Sequence, residues 1–256
     1  MRLINLSALK NVNLIGLMGQ SNANGFPFND GYVDPNAYEP QYGRYIFDPV
    51  AQTWQVLQRD INNHGGPASN TAGDGFGVEM RLMDLLYEHY GVDQYMIKYA
   101  AGGTSISPDT GTEYNWWPDS TADYMFKGSV ANYWAAMNSF PVQESEMKVL
   151  IWIQGENDNA PIEVAGQYQR NFLYMARQMM NQYKLPNLKF LNVGLGDGQT
   201  GIGNKEVINQ AKRNITINGS RFVSSDGLET REGVHFTADS LNTLAERIFD
   251  VYLTMI

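Results

Sequence analysis

The pattern that most constrains this chain is an alternation of short apolar runs with longer segments of helical period. Val12 to Met18, Asp93 to Ala100, Met147 to Ile153, Leu188 to Val193 and Arg221 to Ser224 read as strands. Between them, Val78, Leu82, Leu85 and Leu86 recur at helical spacing within 76–90, a segment closed by Gly91. Further helices are predicted over 120–138, 163–183, 205–213 and 238–254. Strands joined through helices cannot pair as hairpins, so the pattern predicts a parallel sheet covered on both faces.

With 256 residues, 43% of them hydrophobic, the chain is expected to form one large α/β domain over 1–256. One stretch breaks the alternation: 25–75 is rich in Asn, Gly, Pro and Tyr and reads as a long loop insertion, too long for an ordinary connection. Inside it, Arg44 to Asp48 and Thr53 to Leu57 flank a Pro-Val-Ala-Gln turn and predict a small hairpin.

Composition removes several functions. The formal charge is −9 and no Lys/Arg run exceeds a pair, which argues against binding nucleic acid through its phosphates. Cysteine is absent, so thiolate metal sites, redox motifs and a cysteine nucleophile are excluded. No apolar stretch reaches the roughly 18 to 20 residues of a membrane helix. The N-terminal segment resembles a signal peptide only briefly: Asn5, Lys10, Asn11 and Asn13 interrupt it, and no ordinary export signal is expected. Compartment and oligomeric state leave no mark in these patterns.

Where the predicted strands end, chemistry-bearing residues follow. Gly19-Gln20-Ser21-Asn22 follows the first strand, Gly102-Gly103-Thr104-Ser105 the second, and Gln154-Gly155-Glu156-Asn157-Asp158 the third. Near the C-terminus, Glu232 stands three residues before His235. A parallel sheet gathers such loops at one edge, where ligands of open α/β folds bind. Serine, histidine and a carboxylate are the parts of an activated nucleophile. The chain has three histidines. His89 lies at the polar end of a predicted helix and His64 in a turn-rich loop, which leaves His235 as the candidate base. Glu232 is the favoured acid. Asp226, further upstream, competes only if its loop doubles back.

These segments resemble those of the SGNH/GDSL hydrolases, in particular the branch of sialate O-acetylesterases and acetylxylan esterases. That branch carries Gly-Gln-Ser-Asn, Gly-Gly-Thr/Ser-Ser, Trp-x-Gln-Gly-Glu-x-Asp and a terminal Asp-x-x-His-Phe/Tyr. Here they match Gly19 to Asn22, Gly102 to Ser105, Trp152 to Asp158 and Glu232 to Phe236. The departure is Glu232 where the family has aspartate. The resemblance implies a three-layer α/β/α sandwich around a parallel, flavodoxin-like sheet, and a serine esterase that removes O-acetyl groups from carbohydrate without a cofactor or metal. It implies Ser21 as nucleophile, His235 as base and Glu232 as its acid. The oxyanion hole would comprise Ser21, Gly103 and Gln154, with Gly102 an alternative donor, and Gln20, Asn22, Glu156 and Asp158 supporting. Tyr114, Trp116 and Trp117 are candidate walls for a sugar.

Competing readings use other features. Gly196 to Gly201 satisfies G-x-G-x-x-G with Asp226 downstream, the spacing of a dinucleotide fingerprint, but too little chain follows for the rest of such a fold. A non-catalytic carbohydrate-binding module would account for the aromatics alone. A lipase or lysophospholipase would share the chemistry but needs a broad apolar channel that 25–75 does not offer.

Overall fold

The computed structural model describes residues 13–27, 39–59, 61–63, 75–111, 114–120, 124–140 and 146–256. The chain runs through β1 (Asn13–Gly19), a short helix α1 (Ser21–Asn24), β2 (Phe26–Pro27), β3 (Gln41–Asp48), β4 (Thr53–Leu57) and β5 (Gly75–Phe76). It continues with α2 (Glu79–Tyr90), β6 (Gln94–Ala100), α3 (Tyr124–Asn138), β7 (Val149–Ile153), α4 (Ile162–Tyr183) and β8 (Lys189–Val193). Last come α5 (Lys205–Arg213), β9 (Arg221–Val223), β10 (Thr230–Arg231), β11 (His235–Phe236) and α6 (Ala238–Leu253).

A seven-stranded sheet in the order β4-β3-β6-β1-β7-β8-β9 forms the middle layer, parallel throughout except at β4. Side-chain alternation divides its two faces. Ile15, Leu17, Met96 and Ile151 pack with Leu82 and Leu86 of α2 and Leu241 and Leu244 of α6. Leu14, Met18, Ile97 and Trp152 pack with Tyr133 of α3, Phe172 and Met175 of α4 and Ile208 of α5. Each fully buried Leu, Ile or Phe in these layers contributes roughly 1.5–3 kcal/mol. The helices stop where their ends are capped: Gly91 closes α2 at φ 63° with its N–H on the Tyr87 carbonyl, and the Thr237 hydroxyl accepts from Ser240 N to open α6.

The hairpin expected at 44–57 is present, with a role beyond a loop. β3 pairs in parallel with β6, so the described part of the stretch 25–75 extends the sheet by two strands, with β4 at its edge. His64 lies outside the described residues. His89, in the last turn of α2, packs edge-on against Tyr90 and Phe249.

The strand order decides where a ligand can sit. After β1 the chain builds β6 on one side of it and then β7, β8 and β9 on the other, which makes the C-terminal end of β1 the switch point of the sheet. The loops after β1, β6 and β7 therefore meet around one crevice. Among the described residues no helix is long and apolar enough to cross a membrane.

Candidate active site

Ser21 reaches the crevice because β1 ends on a backbone only glycine adopts easily. Gly19 has φ +145°, and a Cβ there would stand 1.9 Å from the Ile153 carbonyl oxygen. Gln20 N then donates to that same carbonyl at 2.9 Å, and α1 begins at Ser21. The strand thus turns sharply and leaves the Ser21 hydroxyl at its end.

The histidine arrives on a hairpin. β10 and β11 pair antiparallel, and Val234 N donates to the Arg231 carbonyl at 3.0 Å across a turn with Glu232 at φ 40° and Gly233 at φ 75°. Positive φ at both central positions is the mirror-image turn that suits a hairpin. It is unusual for a glutamate. The turn folds the Glu232 carboxylate back onto His235 Nδ1, to which it hydrogen-bonds. On the other side of the ring, His235 Nε2 lies 2.9 Å from Ser21 Oγ. Side-chain exposure is 17% for His235 and 53% for Glu232, so the carboxylate meets solvent while the imidazole is largely covered. Asp226 is engaged elsewhere, accepting from the Ser224 hydroxyl at 2.8 Å and from Asp197 N at 3.2 Å.

Asn22 locks the nucleophile turn to the histidine hairpin. Its Nδ2 donates to Glu156 Oε1 at 2.7 Å and to the Val234 carbonyl at 3.2 Å, while its Oδ1 accepts from Phe236 N at 3.1 Å. The glycine-rich run 196–201 supports the same hairpin and resembles no nucleotide cradle. Gly201 N donates to the Gly233 carbonyl at 2.9 Å and Gln199 Nε2 to the Val234 carbonyl at 2.9 Å. A Cβ at Gly198 would stand 2.2 Å from the Leu228 carbonyl oxygen, so its glycine serves close backbone packing.

Beneath the crevice lies a buried polar network. Asp158 accepts from the Ser105 hydroxyl at 2.6 Å and from Ser107 N at 3.0 Å, which fixes the loop that follows Gly102-Gly103. Burial pushes the Asp158 carboxyl above its ordinary range, against the hydrogen bonds from Ser105 and Gln154 that draw it down. With its nitrogen turned toward Thr104 and Glu156, the Gln20 amide donates to the Thr104 carbonyl at 3.2 Å and to Glu156 Oε2 at 3.3 Å.

Two sequence-based expectations are corrected here. Gln154 was expected to offer its amide to the crevice, yet its side chain is fully enclosed, with Nε2 donating to Asp158 Oδ2 at 2.5 Å and to the Thr104 carbonyl at 3.1 Å. Both amide hydrogens are committed, so Gln154 braces the floor. Trp116 was expected to face a sugar, but it is 0% exposed, donates to the Thr104 hydroxyl at 3.1 Å and packs edge-on against Trp152. The ring is core. Its neighbours keep surface: Tyr114 is exposed, and Trp117 is half-buried against Tyr174, ring centroids 4.8 Å apart.

The backbone donors remain. Among the described residues, the N–H groups of Ser21, Gly102 and Gly103 have no hydrogen-bond acceptor. Gly103 turns the loop at φ +71°, and a Cβ on Gly102 would touch Ser21 Cβ at 3.6 Å. No group of three or more His, Asp or Glu placed to hold a metal ion occurs among the described residues.

Sequence reasoning missed Lys212. It lies wholly buried on α5, donating to the carbonyls of Gln154 and Val193. A signal was present, since Lys212 stands one turn after Ile208 on the apolar side of a helix whose other charges face outward.

A sheet with a switch-point crevice holding a serine, a histidine and a carboxylate in hydrogen-bonded sequence is the arrangement of an activated serine nucleophile, and the family match places this α/β/α protein among the carboxylic ester hydrolases. The model of the carbohydrate esterase family described as sialic acid-specific acetylesterase matches residues 11–254, and the chain belongs to that family, whose chemistry is hydrolysis of O-acetyl esters. No curated protein sequence matches it. Solved structures share the fold. A protein from Arabidopsis thaliana is 18% identical, with 94% of this chain and 98% of that one covered at a TM-score of 0.76. NanS is 14% identical, with 95% and 97% covered at 0.69. A carbohydrate acetylesterase from Xanthomonas citri is 18% identical at 0.61, with 93% of this chain covering 55% of that one.

Proposed function

We propose that this chain removes O-acetyl groups from the hydroxyls of a carbohydrate, a polysaccharide or a sialic acid, through an acyl-enzyme formed on Ser21. The observation that carries the reading is the relay from the Glu232 carboxylate through His235 to the Ser21 hydroxyl, at the switch point of the sheet. Ser21 Oγ attacks the acetyl carbonyl while His235 Nε2 takes its proton. Glu232 holds the remaining proton on Nδ1, which keeps Nε2 free as the base, and offsets the imidazolium charge that develops.

Charge also develops on the carbonyl oxygen. The N–H of Ser21, with that of Gly102 or Gly103, supplies donors there, and one such donor contributes ~3 kcal/mol to catalysis. As the tetrahedral intermediate collapses, the bond to the sugar oxygen breaks and His235 returns its proton to the departing hydroxyl. Water, deprotonated by the same imidazole, then attacks the acetyl-enzyme to release acetate and restore Ser21. Tyr114 and Trp117 stand on the loop after Gly103, and their rings suit stacking on a pyranose face. Family membership supports the sugar as the alcohol.

The test is a fluorophosphonate probe followed by peptide mapping, alongside acetate release from acetylated polysaccharides and O-acetylated sialic acid. Labelling is expected at Ser21, and Ser21→Ala is expected to abolish both labelling and acetate release. Near wild-type turnover by that variant, folded by circular dichroism, would refute the mechanism.

A further inference from the structure

Lys212 is a fully buried cation that the proposed mechanism does not use. Its Nζ donates to the carbonyl of Gln154 and, at 2.6 Å, to that of Val193, and lies 5.6 Å from the Tyr168 ring centroid. A Cβ on Gly155 would come within 3.3 Å of it and within 2.9 Å of the Ile208 side chain. The loop after β7 is thus seated directly on α5. Its charged groups are Glu156 and Asp158, both buried carboxylates, whose charges act on the ammonium.

Burying an ammonium is unfavourable unless it is paired. An apolar side chain of similar length would fill the same space without that cost, so the charge is explained by what it touches. Two adjacent residues of the segment it holds brace the crevice from opposite sides, one through Asn22 and the other through Gly103. Glu156 accepts from Asn22, beside Ser21, at 2.7 Å, and Asn157 Nδ2 donates to the Gly103 carbonyl at 2.9 Å. Asp158 holds Ser105 and Ser107.

We propose that Lys212 is a positioning residue for ester hydrolysis: its ammonium balances Glu156 and Asp158 and fixes the Gln154 carbonyl, so that this segment keeps the Ser21 turn and the Gly103 peptide in register. The inference rests on Ser21 being the nucleophile. Removing the cation leaves two buried carboxylates without a counter-charge, and the segment must shift or take up a proton. Either change loosens both braces on the crevice.

Titration separates this role from simple packing. Burial lowers Lys212 to about 8 from 10.5, although Glu156 and Asp158 raise it. The charged and titratable groups facing it are those two carboxylates and, from α4, Tyr168, which burial keeps neutral; β8 presents the Val193 carbonyl. Between about 8 and 10.5 the unfolded chain holds this proton more firmly than the folded one, so this group makes stability rise with pH. Activity is expected to fall across the same window. Unfolding cannot produce that combination.

The experiment compares wild type, Lys212→Met and Lys212→Arg for aryl acetate hydrolysis and for the rate of Ser21 labelling by a fluorophosphonate, over pH 6.5 to 10. Lys212→Met is expected to lose about 10- to 100-fold in kcat with little change in KM, and to label more slowly in parallel. Wild type should show an alkaline limb near pH 8 that neither variant shows. Lys212→Met that folds and keeps kcat within twofold, or a limb persisting in Lys212→Arg, overturns the proposal. Should Lys212→Met fail to fold, the Lys212→Arg profile decides. Wild type unlabelled at Ser21 would instead refute the nucleophile assignment.

Discussion

Replacing Glu232 by glutamine keeps the shape of the side chain and removes the charge opposite His235 Nδ1. In the transition state the imidazole has taken the serine proton, and the lost term is the attraction between imidazolium and carboxylate. Two unit charges about 4 Å apart attract by ~1 kcal/mol in bulk water and ~4 kcal/mol at the screening typical of a protein surface. With 53% of the Glu232 side chain exposed against 17% for His235, the pair lies between these limits and toward the lower. A loss of about 1–3 kcal/mol corresponds to a fall in kcat of roughly 5- to 150-fold. That is below the ~10⁴-fold loss when a buried triad aspartate becomes asparagine, because a half-exposed glutamine can rotate to present its oxygen and does not force the wrong tautomer. The assay is aryl acetate hydrolysis at neutral pH, with KM expected to hold. Asp226→Asn serves as the control and is expected to stay within about twofold, since its partners are Ser224 and the Asp197 backbone. A Glu232→Gln variant as fast as wild type, or a larger loss in Asp226→Asn, would refute the assignment of the acid.

Trp116→Ala is expected to lower unfolding free energy by about 3–5 kcal/mol in denaturant titrations, as for large core aromatics, whereas Trp117→Ala should leave stability nearly intact and raise KM for acetylated polysaccharide. Equal stability losses at the two positions would contradict the division drawn between core and wall. Hydrolysis should also decline as the acyl group lengthens from acetyl to octanoyl, because Asn22, Gly102, Gly103 and Asn157 around Ser21 are small or polar. Equal or faster turnover of the long esters would favour a lipase.

Much of the scaffold was legible from local pattern. Apolar runs and helical spacing identify strands and helices because burial imposes its period on nearby residues, and α5 begins and ends at Lys205 and Arg213 as the spacing predicts. Placing Ser21, Gly102-Gly103 and Gln154 at one edge needs only parallel strands in the expected order. The spacing of Glu232 and His235 likewise suffices for contact once a tight turn joins them.

What tertiary structure alone decided concerns partners far apart in the chain. Trp116 and Trp117 are adjacent and alike in composition, yet one is sealed against Trp152 and the other lies on Tyr174, because an irregular loop has no period to say which way a side chain turns. Gln154 looked like a donor to substrate until Asp158 and Thr104 claimed its hydrogens. Gly198 looked like a phosphate loop until Leu228 explained its missing Cβ. The sequence by itself determined which residues are chemically able and at which edge they gather. Which of them face the crevice, and which lie beneath it as braces, was decided by packing across the sheet, where a buried hydrogen bond costs or contributes according to neighbours more than a hundred residues away.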